Sequence, residues 1–175
     1  MLVVIIGGSG SGKSEFAENT AVKLRKNRLI YAAAMMPYGQ EGETRIKRHR
    51  KARKDKGFIT LEKYTCLKSL EVQEGDTVLL ECMSNLLANE MFDKDGSGAN
   101  SVSEIIKEVD IIENRVENLI IVTNDIFSDG EKYAPETEMY IKYLGQINRY
   151  ICSKADVVYE VVCGIPIRLK GEEIC

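Results

Sequence analysis

The residues with the clearest chemical potential come first in the chain. Residues 7–14 read GGSGSGKS, and Gly7, Gly12, Lys13 and Ser14 fit the spacing G-x-x-x-x-G-K-[ST]. Glycines let backbone N–H groups of Gly7, Gly8, Ser9, Gly10, Ser11 and Gly12 turn toward phosphate oxygens. The helix that follows would add its positive N-terminal end. Lys13 would reach the β- and γ-phosphates, and the Ser14 hydroxyl would hold Mg²⁺. The segment LVVII directly before the loop supplies the strand that a phosphate loop requires, which a chance glycine-rich turn would not need. These residues predict a P-loop nucleotide site.

Such a site needs an acid at the end of a neighbouring strand to help hold Mg²⁺. Glu81, closing TVLLE, is the first candidate, and Asp125, after LIIVTN, is the second. Carboxyl ends of parallel strands converge on the ligand crevice, which favours a role for at least one over a mere surface position.

The single histidine, His49, lies in the most basic stretch of the chain. Between positions 45 and 56 stand Arg45, Lys47, Arg48, Arg50, Lys51, Arg53, Lys54 and Lys56, against 24 Lys+Arg in all. On a helix, Arg45, Arg48, His49, Ala52 and Arg53 would share one face. Surrounding cations disfavour the imidazolium, leaving a neutral, nucleophilic ring, while arginines can hold a phosphate in front of it. Taken alone, the segment reads more simply as a solvated basic helix with an incidental histidine.

A third pattern competes for attention. In DKDGSGANSVSE, Asp93, Asp95, Ser97, Gly98 and Glu104 fall at positions 1, 3, 5, 6 and 12 of an EF-hand loop. Asn100 occupies the apolar position 8, and no second hand is present to pair with it. An acidic surface loop between two helices is the better reading of 93–104.

These residues require a scaffold. The β-branched runs 2–6, 29–34, 77–81, 119–124 and 157–162 read as strands, near-continuously apolar as in a parallel sheet covered on both faces. Helices are predicted at about 14–26, 43–56, 83–91, 101–116 and 136–154. The alternation predicts an α/β fold with a mainly parallel sheet. VVYEVVCGIPIRLKG, with a glycine between two apolar runs, predicts a closing antiparallel hairpin. The 175 residues suggest one domain over 1–175.

Composition limits the alternatives. The net charge is −3, so the basic run is a local feature, suited to one anionic site rather than to coating nucleic acid. Cys66, Cys82, Cys152, Cys163 and Cys175 form no CxxC pair, and with one histidine no zinc set is available. Reduced thiols in a cytoplasmic protein are expected. MLVVIIGG is apolar but short and has no preceding basic region, so it reads as a strand. No apolar run is long enough to span a bilayer.

Together, GGSGSGKSEFAE, RIKRHRKAR, VTND and VVCGIPIRLKG resemble motifs of the bifunctional adenosylcobinamide kinase/adenosylcobinamide-phosphate guanylyltransferase family of cobalamin biosynthesis. The resemblance runs nearly end to end. It implies a RecA-like P-loop NTPase fold, assembled as a homotrimer. It implies two reactions: phosphorylation of the corrinoid substrate adenosylcobinamide by ATP or GTP, then transfer of GMP from GTP through a GMP-histidine intermediate. The family's nucleophile falls on His49. Its nucleotide-contacting positions fall on Gly7 to Ser14, Ala34, Arg50, Lys51, Arg53, Glu62 and Glu81. The chain departs from the family's pattern at Glu81, where Asp is common, in ECMSNLLANE, and in DIFSDGEKYAPET. Two rivals remain: another small-molecule kinase or nucleotidyltransferase on this fold, and a nucleic-acid-binding P-loop ATPase. The second lacks stacking aromatics, since none lies between Tyr38 and Phe58. No Asn-Lys-x-Asp guanine motif is present.

Overall fold

The computed structural model describes residues 1–37, 53–126 and 132–174. Seven strands form one sheet: β1 (Leu2–Gly7), β2 (Leu29–Ala33), β3 (Phe58–Glu62), β4 (Thr77–Glu81), β5 (Asn118–Asn124), β6 (Val157–Val162) and β7 (Ile165–Lys170), in the order β3-β2-β4-β5-β1-β6-β7. All neighbours are parallel except β6 and β7. The helices are α1 (Lys13–Leu24), α2 (Met83–Phe92), α3 (Ser101–Glu113) and α4 (Pro135–Lys154).

Alternation along the strands divides the core. Val3 and Ile5 of β1, Leu79 of β4 and Ile120 and Val122 of β5 pack with Ala17 and Ala21 of α1. Leu2, Val4, Leu80 and Ile121 face the other way, against Leu86 of α2, Ile105 and Val109 of α3 and Ile147 of α4. Because both faces are covered, the central strands are apolar on both sides through their middles, with polar residues confined to their ends, which is why they read as continuous runs. The sheet is an α/β/α arrangement of P-loop NTPase type, mostly parallel, with a C-terminal antiparallel hairpin.

Two sequence expectations change. A helix over 43–56 is not what the described part of that segment forms: Arg53 lies in a turn and only a single 3-10 turn, Lys54–Lys56, follows before Gly57. Residues 43–52 lie outside the described residues. Immediately afterwards FITLE forms β3, an edge strand that the strand reading passed over. Its outer edge is unpaired among the described residues, and Ile59 and Glu62 are exposed, so it lacks the apolar continuity of the inner strands.

The EF-hand-like segment 93–104, read from sequence as an acidic surface loop, has a local structure of its own. Ser97 N and Oγ donate to Glu90 Oε2 at 2.9 and 2.6 Å, turning the loop back on α2. Glu104 accepts from Lys107 Nζ at 2.8 Å on the surface of α3. Among the described residues, no three His, Cys, Asp or Glu side chains gather as a metal site.

α2 ties loose ends of the sheet together through buried polar groups. Asn89 Nδ2 donates to Ala34 O at 2.8 Å and Tyr64 O at 2.9 Å, fixing where the chain leaves β2 and β3. Glu90 Oε1 accepts from Cys66 N at 2.7 Å.

Candidate active site

The phosphate loop follows β1 as the sequence requires. Gly8, Ser9, Gly10 and Gly12 are exposed at the carboxyl edge of the sheet. Gly12 adopts φ +91°, a left-handed conformation unfavourable for other residues, and a Cβ there would meet Gly164 Cα at 3.2 Å. The reason is the hairpin: Gly164, in the turn between β6 and β7, donates its N–H to Ser11 O at 2.8 Å. The terminal hairpin thus backs the loop directly.

Lys13 is largely buried, and its Nζ donates to Gly8 O at 2.8 Å, curled over the loop that its ammonium would share with phosphate. Ser14, one residue into α1, donates its hydroxyl to Glu81 Oε1. Of the two acids named from sequence, Glu81 is therefore the one joined to the loop serine. Asp125 sits next to the loop through its backbone N–H, donated to Gly7 O at 3.2 Å.

Glu81 is buried, and its Oε2 has no hydrogen-bond partner. Burial pushes its carboxyl above the ordinary range. The Ser14 hydrogen bond and the cations Lys13 and Arg53 oppose that rise, while Glu18 adds to it. Ser11 Oγ, within the loop, is likewise buried and unpaired. An unpaired buried oxygen beside a hydroxyl is the donor set a hard divalent cation takes, so Ser14 and Glu81 fit Mg²⁺.

Arg53 departs most from the sequence reading. Instead of lining a solvated helix face, it is 5% exposed, with its guanidinium 3.5 Å above the Tyr31 ring. Its Nη2 reaches Thr60 Oγ1 at 3.5 Å, while Nε and Nη1 are buried without partners. A buried cation with two unused donors invites an anion. Lys56 anchors the same stretch to α1, donating from Nζ to Glu18 Oε2 at 2.7 Å and to Asn19 Oδ1 at 3.0 Å.

Glu62 ends β3 in one row with Ala33 of β2 and Glu81 of β4. Tyr64 donates its hydroxyl to Glu62 Oε2 at 2.8 Å. Ala34 is fully buried. Its N–H goes to Glu81 O at 3.0 Å and its carbonyl to Asn89, so it supports the site from behind. The structure thus sets Gly7 to Ser14, Glu62 and Glu81 along one edge of the sheet, with Arg53 over the α1-facing side of β2 and β3. Arg45, His49, Arg50 and Lys51 lie outside the described residues.

Sequence reasoning missed Tyr31, whose ring carries Arg53. Tyr31 reads simply as a core residue of β2. Its place beneath a cation depends on β3 bringing Arg53 alongside.

The family described as cobinamide kinase / cobinamide phosphate guanyltransferase matches residues 3–169. The chain belongs to that family. The bifunctional adenosylcobalamin biosynthesis protein CobU of Escherichia coli (strain K12) is 26% identical over 187 residues, covering 97% of this chain and all of that protein. CobP of Pseudomonas aeruginosa, under the same description, is 27% identical over 174 residues and 98% of each chain. Among solved structures, the flagellar accessory protein FlaH from Methanocaldococcus jannaschii aligns with 99% of this chain and 79% of its own. Its TM-score is 0.49 and its identity 12%, a likeness too loose to bear on function. The family membership and the loop geometry make this a P-loop nucleotide-binding enzyme related to CobU and CobP. No helix among the described residues is long and apolar enough to cross a membrane.

Proposed function

We propose that the protein carries out both steps named by its family. It phosphorylates adenosylcobinamide with a nucleoside triphosphate, then joins GMP from GTP to the product, giving adenosylcobinamide-GDP. In the first step the hydroxyl oxygen of the aminopropanol arm bonds to the γ-phosphorus. The bond from that phosphorus to the bridging oxygen breaks, and the nucleoside diphosphate leaves. Lys13 and the loop N–H groups hold the phosphates and offset the charge that develops on them. Ser14 and Glu81 would hold Mg²⁺, which neutralises phosphate charge when bound.

In the second step a ring nitrogen of His49 attacks the α-phosphorus of GTP and pyrophosphate departs. An oxygen of the corrinoid phosphate then attacks the same phosphorus and frees the histidine. Arg50, Lys51 and Arg53 serve the nucleotide here, and Glu62 and Glu81 border it. The protein acts in the cytoplasm as a homotrimer on a corrinoid and nucleotides, not on nucleic acid.

The observation that carries the reading is the pairing of Ser14 with Glu81, whose second oxygen is buried and unpaired, at the mouth of a complete phosphate loop. Arg53 supports it, as a buried cation with two unused donors four residues after the histidine. Chromatography of corrinoid products, with ATP or GTP as donor and a panel of other small alcohols as competing acceptors, tests it. Adenosylcobinamide phosphate should form first and adenosylcobinamide-GDP only with GTP. Phosphorylation of another alcohol in preference to the corrinoid would replace the substrate while keeping the P-loop chemistry.

A further inference from the structure

We propose that Asn124 orients the hydroxyl that receives the phosphoryl group. The inference rests on the kinase half of the proposed function. β5 lies between the strand that feeds the phosphate loop and the strand that ends in Glu81. Asn124 is its last residue and pairs with Gly7, the first glycine of the loop. Val122, two residues back, pairs with Glu81. Asn124 therefore ends the strand that lies between the loop's strand and the acid's strand, with its amide against the first turn of α2.

Its orientation is fixed from behind. Asn124 Nδ2 donates to Ser84 Oγ at 2.7 Å. Ser84 Oγ lies 2.9 Å from the Cys82 thiol, next in chain to Glu81, and Ser84 O accepts from the Tyr140 hydroxyl at 3.1 Å. The Asn124 backbone is held too: its carbonyl accepts from Asn148 Nδ2 at 3.3 Å, and Asn148 Oδ1 accepts from Thr123 Oγ1 at 2.7 Å. With the NH₂ end engaged, the half-buried side chain offers its carbonyl oxygen to a ligand. That oxygen only accepts hydrogen bonds. It repels phosphate oxygens and attracts an O–H group, so its partner is the attacking hydroxyl and not the phosphate. The hydroxyl points its hydrogen at Oδ1 and a lone pair at the γ-phosphorus. The amide takes no proton, which leaves with the transferred phosphate or to solvent. Asn124 thus selects the bound alcohol over water by position.

The experiment is steady-state turnover of ATP and adenosylcobinamide with Asn124→Leu and Ser84→Ala, counting ADP and corrinoid phosphate separately. Asn124→Leu keeps size and removes the acceptor. It should cut kcat by at least about tenfold, with KM for ATP within about twofold and more ADP than corrinoid phosphate formed. Ser84→Ala leaves Asn124 in place but unanchored. It should show the same excess of ADP with a smaller loss, and it decides the matter if the leucine variant fails to fold. Equal ADP and corrinoid phosphate in both variants, or a raised KM for ATP at unchanged kcat, would overturn the assignment. A wild-type enzyme that makes no corrinoid phosphate would overturn it together with the kinase reading. Wild-type transfer matched by both variants would overturn it alone.

Discussion

Lys13 and Glu81 are held in place before any ligand arrives, the ammonium by a loop carbonyl and the carboxylate by Ser14. Replacing Lys13 by Ala removes a cation from the transferring phosphate, a kind of contact that contributes on the order of 100-fold or more in rate. Cobinamide phosphorylation by Lys13→Ala should fall by at least about that factor with an unchanged circular dichroism spectrum. Near-normal turnover would put the transfer elsewhere. Glu81→Gln keeps the shape and removes the charge. The magnesium concentration for half-maximal rate should then rise severalfold, and Glu81→Asp should sit closer to wild type. A titration unchanged in the Gln variant would shift the metal role toward Asp125. The loop and both acids were legible because a phosphate loop is a contiguous motif and strand-end acids follow from the strand pattern. Arg53 was not. Its burial over Tyr31 and beside Thr60 depends on two strands meeting, which no local spacing reports.

At the scale of elements, the site is set by what lies behind it. The hairpin turn donates to Ser11 O and would crowd a Cβ at Gly12, 3.2 Å from Gly164 Cα. Gly12→Ala combines that contact with an unfavourable positive φ, so nucleotide affinity measured by calorimetry should drop at least about tenfold. Unchanged affinity would show that the turn does not shape the loop. α2 has a different task. Removing Asn89 Nδ2 takes a hydrogen bond from the buried Ala34 carbonyl and another from the partly buried Tyr64 carbonyl. Asn89→Ala should therefore cost about 1–3 kcal/mol, read as a lower urea midpoint. β1, β4 and β6 were readable from apolar runs, and the strand ends fell within a residue of expectation. β3 was not, because an edge strand half open to solvent has the mixed composition of a loop. Its neighbour 54–56 was misread as α-helix since charge alone does not distinguish a turn from a helix face.

The whole molecule separates stability from function along the strands. The carboxyl edge of the sheet carries the candidate site. At the opposite edge, Asp76 binds the starts of β2, β4 and β5 together. Its carboxylate accepts from Arg28 Nε at 3.0 Å, Arg28 Nη2 at 2.6 Å and Gln73 N at 2.8 Å, and its carbonyl accepts from Glu117 N at 3.0 Å. Burial alone would push the Asp76 carboxyl up. The Arg28 and Gln73 hydrogen bonds outweigh it and hold the carboxyl below the usual carboxylate range. A carboxyl depressed by folding stabilises the fold above its unfolded value, near 3.9. That contribution is lost as pH falls through the lower folded value. Urea midpoints should thus fall below about pH 4, and Asp76→Asn should be less stable at neutral pH with a shallower acid decline. Parallel acid declines in the two proteins would contradict this role. Guanylylation of His49 is tested most directly by intact mass spectrometry after incubation with GTP. Wild-type protein should gain one GMP, lose it on adding adenosylcobinamide phosphate, and gain none as His49→Ala. No gain in wild type, or an equal gain in His49→Ala, would contradict it.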